Sequence, residues 1–114
     1  MAYDEDLAYR VRDLLEPEKG LREKKMFGGI TFMINGHMAV TVSGRGGLML
    51  RVDPEQTEAL LRDEHAQPFE MRGRPMNGWL RIDPAGIKKE ADLERWAALG
   101  VSYARSLKPK PSKR

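Results

Sequence analysis

The chain has 114 residues, of which 40% are hydrophobic and 32% are charged, and it contains no cysteine. This length predicts one domain with its own core, and the missing cysteines exclude disulfide bonds and thiolate metal sites. No apolar run reaches the ~20 residues of a membrane helix, and the acidic start lacks the apolar stretch of a signal peptide. We therefore expect a cytoplasmic protein that does not enter a membrane.

The formal net charge of +3 is concentrated at the C-terminal end. Residues 105–114 hold five Lys and Arg and no acid, so the rest has 15 basic and 17 acidic residues, a net charge of −2. We expect a near-neutral folded domain over residues 1–107 and a disordered basic tail over residues 108–114, because two prolines end the last helix.

The first half of the chain is predicted to form one helix followed by four strands. Apolar residues recur at helical spacing over residues 4–15. The alternation of apolar and polar residues predicts strands over residues 24–27, 30–35, 37–43 and 48–52. Gly28 and Gly29 indicate a bulge or a sharp change of strand direction, and Asn35-Gly36 is typical of a two-residue hairpin turn.

The second half is predicted to hold two helices with two strands between them. Asp53 and the proline after it begin a middle helix over residues 54–64. Two strands and a long last helix follow, over residues 68–71, 78–82 and 89–107. The apolar stripe of that helix includes Leu93, Trp96 and Val101. The sequence therefore predicts an α+β fold of two layers. It has an antiparallel sheet of five or six strands, an N-terminal helix, a middle helix and a long C-terminal helix.

Several of these features also resemble one protein family. They are Met26-Phe27-Gly28-Gly29, the Asn35-Gly36 hairpin, the strand end Leu50-Arg51, Pro68-Phe69, and the terminal helix with Trp96 and Ala97. Over about residues 5–105 the chain resembles the TfoX/Sxy N-terminal domain family, which includes bacterial regulators of natural competence that assist transcription. The resemblance implies a compact α+β domain with a regulatory role. It also implies an N-terminal domain that stands alone, without the C-terminal domain of those regulators.

The sequence offers no recognisable catalytic or metal-binding arrangement. His37 and His65 are the only histidines, and a zinc site needs three or four converging ligands. No serine lies in a Gly-x-Ser-x-Gly context, and the glycine-rich turn at residues 43–47 lacks the Gly-Lys-Ser/Thr of a P-loop. We therefore predict no catalytic residue, no cofactor and no bound metal.

The sheet face that turns away from the helices is the predicted interaction surface. If Phe32, Val40 and Leu50 face the helices, their neighbours along each strand lie on the opposite face. That outer face carries less charge than a solvated face would. Its candidate contact residues are Met33, Met49, Arg51, Trp79 and Arg81. Such a face suits a partner protein or a second copy of the chain, unless the last helix covers part of it.

Three functions stay open at this point. The first is a non-enzymatic cytoplasmic binding module, a regulatory adaptor that contacts a protein partner or itself. The second is weak nucleic-acid binding through the basic tail. Its candidate contacts are Lys108, Lys110, Lys113 and Arg114, aided by Lys24, Lys25, Arg72 and Arg74. The third is a small-ligand-binding protein or an enzyme that uses the groove of the sheet.

Overall fold

The structure is a computed structural model that describes residues 3–26 and 28–108. The helices are α1 (Glu5–Leu15), α2 (Thr57–Leu60) and α3 (Glu90–Ser106). The strands are β1 (Leu21–Met26), β2 (Gly29–Ile34), β3 (His37–Val42), β4 (Leu48–Arg51), β5 (Ala66–Met71) and β6 (Arg74–Ile82). Short 3₁₀ turns over Pro54–Gln56 and Pro84–Ile87 precede α2 and α3. Four residues used in the sequence analysis lie outside the described part: Phe27, Lys110, Lys113 and Arg114.

The six strands form one antiparallel sheet in the order β1-β2-β3-β4-β6-β5. The first four strands follow one another as neighbours, and β6 then pairs with β4. This arrangement leaves β1 and β5 at the two edges. With the N-terminal helix and the long C-terminal helix in place, the predicted α+β fold is confirmed.

The hydrophobic core lies on one face of the sheet, against α1 and α3. Phe32, Val40 and Leu50 are cross-strand partners near its centre, and each is at most 1% exposed. Trp96 of α3 is also 1% exposed and belongs to the same cluster. The two helices supply these further core residues: Leu7, Val11, Leu15, Leu93, Ala97, Val101 and Ala104. The predicted burial of the apolar stripe of α3 is confirmed.

Two predicted glycine-containing segments are confirmed by backbone geometry. Gly28 has a φ of +73°, and a Cβ on Gly29 would collide with the carbonyl oxygen of Val42. Asn35 and Gly36 have φ of +54° and +86°, as a turn with two left-handed residues requires. The tight β2–β3 hairpin brings the two strands into the register that places Phe32 and its partners on the core face.

The middle helix is shorter than predicted, since α2 covers Thr57–Leu60 instead of residues 54–64. The residues before it form a 3₁₀ turn. After it, the Asp63 carboxylate accepts a hydrogen bond of 2.9 Å from the backbone amide of His65. A short polar side chain that binds nearby backbone competes with the helical hydrogen bonds, and the helix ends early.

Strand β1 begins at Leu21 rather than at residue 24. Its four central residues are charged and exposed: Arg22, Glu23, Lys24 and Lys25. A charged edge strand discourages pairing with other chains, and it lacks the alternation on which strand prediction relies.

Candidate functional site

One row of side chains crosses all six strands on the face opposite the core. From β1 to β5 the row is Lys24, Thr31, Thr41, Met49, Arg81 and Gln67. Thr31 and Thr41 are buried, and their hydroxyl groups share a hydrogen bond of 2.8 Å. The centre of the row is therefore uncharged, and Arg81 carries the positive charge next to it.

The predicted contact residues fall into two groups on this outer face. Arg51 and Trp79 are cross-strand partners, and so are Met49 and Arg81. Met33 lies on β2 and is separated from β4 by the whole of β3. Met49 is only 3% exposed and stands outside the core cluster, while the other four side chains are half-buried. The structure thus gathers four of the five on β4 and β6.

Trp79 belongs to an aromatic patch made of Trp79, Arg51, Phe69 and Tyr103. The ring centroids of Trp79 and Phe69 are 6.0 Å apart with planes tilted by 40°. The Arg51 guanidinium carbon lies 5.7 Å from the Trp79 ring centroid and 5.6 Å from that of Tyr103. A guanidinium within about 6 Å of an aromatic face is attracted to it. Arg51 therefore links the outer face to the end of α3.

The sequence pattern does not identify Phe69 and Tyr103 as members of this patch. Phe69 lies in β5 at a register shift between Pro68 and Glu70, so simple alternation does not place its side chain. Tyr103 lies beside the buried stripe of α3 and is half-buried. The spacing of aromatic residues gave no signal for either contact, because both depend on how separate elements meet.

A cleft of about 240 Å³ opens beside this patch, and we call it the Arg81 cleft. Its lining residues are Thr41, Ser43, Arg45, Met49, Phe69, Glu70 and Arg81. The Arg81 side chain donates a hydrogen bond of 3.3 Å to Ser43 Oγ. Burial lowers the pKa of Arg81 from its ordinary value, and the positive charge of Arg45 lowers it further. The cleft therefore holds a partly desolvated cation beside a second one.

The histidines take up structural positions. His37 Nε2 lies 2.7 Å from the carbonyl oxygen of Lys108, and His65 Nδ1 lies 3.0 Å from Asp83 Oδ1. Within residues 3–26 and 28–108, no group of three histidine and acidic side chains is close enough to hold a metal ion. In that part of the chain the two imidazoles connect elements of the fold.

The basic residues predicted to help the tail do not lie together. Lys24 and Lys25 are on edge strand β1, whereas Arg72 and Arg74 are in or next to the turn between β5 and β6. Five inter-strand spacings separate β1 from β5, or about 24 Å. Lys108 is exposed just after α3. These basic residues therefore form separate positively charged sites rather than one continuous basic surface.

Arg105 belongs to the basic C-terminal residues 105–114, but the structure pairs it with the body of the domain. Its guanidinium lies 2.6 Å from Glu18 Oε1 and donates a hydrogen bond of 3.0 Å to the carbonyl oxygen of Lys19. This pairing attaches the end of α3 to the loop after α1. The charge of Arg105 is thus partly neutralised within the fold.

The fold and the outer face define a small α+β domain whose antiparallel sheet is covered by helices on one side. The family model of the TfoX N-terminal domain matches residues 13–104. The chain therefore belongs to the TfoX N-terminal domain family. A search of curated proteins finds no match to the chain. None of the helices in the described residues is long and apolar enough to cross a membrane.

Proposed function

We propose that this domain is a non-enzymatic regulatory module that binds a protein partner through the aromatic patch on the outer face of the sheet. Membership of the TfoX N-terminal domain family supports the regulatory role. The observation that carries the proposal is the half-buried Trp79, whose ring contacts Phe69 and Arg51. Tryptophan and arginine are the residue types that dominate the energetic centres of protein interfaces.

The contacts of Trp79 keep its side chain ordered before any partner binds. Its ring contacts both Phe69 and Arg51, so a partner that packs on it would immobilise little further side-chain freedom. Arg51 in turn is stacked on Tyr103 of α3. A patch whose side chains are already ordered loses less entropy on binding than a flexible one does.

The local chemistry supports binding rather than catalysis. His65 and Asp83 form an acid–imidazole pair of the kind that some hydrolases use. The other ring nitrogen of His65, however, lies 3.4 Å from a carboxylate oxygen of Glu64. A nucleophile would have to occupy that position for the pair to act as a general base.

Sedimentation measures self-association through the patch. If the partner is a second copy of the chain, the wild type sediments as a dimer at high concentration and Trp79→Glu sediments as a monomer. Tyr9→Glu is the matched control, because Tyr9 is an aromatic residue that is 66% exposed on α1. Circular dichroism checks that both variants fold. A dimer that Trp79→Glu leaves intact would contradict the use of the patch in self-association.

The second candidate function is nucleic-acid binding through the basic tail. It is favoured by the concentration of five Lys and Arg, with no acid, in residues 105–114. Because Arg105 is engaged with Glu18, this function depends on the charges from Lys108 onward. Salt dependence and a tail deletion distinguish it from docking at the patch.

A further inference from the structure

Arg81 differs from the other arginines that make polar contacts in this fold. Four arginines each form an ion pair with a carboxylate: Arg10, Arg12, Arg95 and Arg105. In the described part of the chain, no carboxylate oxygen lies within 4 Å of a guanidinium nitrogen of Arg81 or Arg45. A guanidinium that is partly removed from water is stabilised by a paired anion. In the described residues, the fold provides no carboxylate partner for Arg81.

The neighbouring groups are arranged to leave hydrogen-bonding capacity in the cleft. Ser43 Oγ accepts hydrogen bonds from the backbone amide of Arg45, at 3.0 Å, and from Arg81 Nη2, at 3.3 Å. The hydroxyl proton of Ser43 then remains to donate to a further acceptor. Arg81 has five N–H donors, and its contact with Ser43 uses one nitrogen. An acceptor-rich group is the chemical complement of these donors.

The turn that carries Arg45 is fixed against the sheet. Gly46 and Gly47 have φ of +96° and +74°, and a Cβ on Gly47 would collide with the carbonyl oxygen of Ile82. The amide of Ser43 also bonds to the carbonyl oxygen of Gly47 at 3.1 Å. The backbone of the turn therefore lies directly against β6, next to Arg81.

We propose that the Arg81 cleft binds the oxyanion group of a small ligand, a phosphate or a carboxylate, between the guanidinium groups of Arg81 and Arg45. Guanidinium groups bind both kinds of oxyanion through paired N–H donors. The volume of about 240 Å³ fits such a group with a short apolar extension against Met49 and Phe69. The carboxylate of Glu70 also lines the cleft, and its charge limits how strongly a multiply charged anion binds. The inference goes beyond the proposed function, because the cleft is a separate site that shares only Phe69 with the aromatic patch.

Amide NMR titrations test the proposal with inorganic phosphate and with succinate, at constant ionic strength set by sodium chloride. We expect saturable shifts confined to the cleft residues, for at least one of the two anions. Saturation by phosphate alone assigns a phosphoryl ligand, and saturation by succinate alone assigns a carboxylate. No saturable shift with either anion, or shifts spread over the whole surface, would overturn the proposal.

Charge variants make the test specific. Arg81→Gln and Arg45→Gln each weaken binding by about tenfold or more, because each removes a charged hydrogen-bond donor, and Glu70→Gln strengthens binding. Arg62→Gln is the matched control, since Arg62 is exposed and lies outside the cleft. The amide spectra themselves report whether each variant is folded. An unchanged dissociation constant in both cleft-arginine variants refutes the proposal.

One of these variants separates this inference from the proposed function. Arg81→Gln removes a charge of the cleft but lies outside the aromatic patch of Trp79, Arg51, Phe69 and Tyr103. Sedimentation measures self-association through the patch without any added anion, so the two readouts are separate. Weaker anion binding in Arg81→Gln supports the cleft proposal, whatever sedimentation shows about the patch. Undiminished anion binding in Arg81→Gln overturns the cleft proposal and leaves the proposed function standing.

Discussion

At the residue scale, two aspartates begin the two 3₁₀ turns but have different surroundings. The Asp53 carboxylate accepts a hydrogen bond of 2.9 Å from the amide of Glu55. The Asp83 carboxylate accepts one of 3.1 Å from the amide of Gly86 and also lies 3.0 Å from His65 Nδ1. Both residues precede a proline, so they are capping groups of the same type. Asp83 has the additional role of holding His65 against the turn.

We predict that Asp83→Ala destabilises the fold more than Asp53→Ala. Loss of a cap costs about 1 kcal/mol, which is the expected loss for Asp53→Ala. For Asp83→Ala we expect about 2 kcal/mol, because a hydrogen bond to a partly buried imidazole is lost as well. Urea unfolding of the two variants measures the difference. Equal free energies of unfolding would show that the contact with His65 contributes nothing.

The sequence predicts which strand residues lie on the outer face, but it does not predict which loop residues they contact. Strand alternation predicts that Met49, Arg51, Trp79 and Arg81 share one face, and the structure pairs them across β4 and β6. Alternation could not place Arg45 in the cleft, because that position depends on the left-handed glycines of the turn. The alternation of residues along a strand determines which face of the sheet a side chain occupies. The position of a loop residue depends instead on the backbone conformation of the turn.

At the element scale, α3 lies unusually close to β3. A Cβ on Gly100 would collide with the carbonyl oxygen of Ala39 and would also touch the Val40 side chain. The Gly100 position therefore sets the distance between the helix and the sheet. The long amphipathic stripe of α3 could be predicted from sequence, because its spacing is regular over many turns. The short α2 and the charged β1 could not, because neither carries enough apolar periodicity.

We predict that Gly100→Ala destabilises the protein, although alanine is the better helix former by about 1 kcal/mol. The new methyl group would force α3 away from β3, at a net cost of about 1–3 kcal/mol. Ser102→Ala on the same helix is the control, because Ser102 is exposed. Its melting temperature should stay near that of the wild type. A Gly100→Ala variant that melts higher than the wild type would mean that the helix has room to move.

At the scale of the whole molecule, the two faces of the sheet differ in what they carry. One face is occupied by α1 and α3 and forms the core. The other carries the aromatic patch and the Arg81 cleft. The positive charge is concentrated beyond α3, away from a body with a slight excess of acids. In the described residues, the core and these surface features therefore lie on opposite faces of the sheet.

We expect any nucleic-acid binding to depend on the segment after α3. Deleting residues 109–114 makes Lys108 the C-terminal residue, and its carboxylate can still accept a hydrogen bond from His37, so the melting temperature should change little. Binding to a random-sequence duplex should weaken steeply with added salt, because phosphate contacts release counterions. The deletion removes three of the four candidate contacts, Lys110, Lys113 and Arg114, and should weaken that binding strongly. Sequence-selective binding that survives the deletion would instead indicate a site on the folded domain.

The central claim is that a protein partner docks on the outer face of the sheet at Trp79. The most direct measurement places a photo-crosslinking amino acid at position 77 in one variant and at position 9 in another, in cells of the source organism; Asn77 is exposed and lines a cleft together with Trp79. We predict one dominant crosslinked protein from position 77, identified by mass spectrometry as the same chain or a single partner, and none from position 9. Crosslinks from position 9 alone, or no specific product from position 77, would contradict the claim.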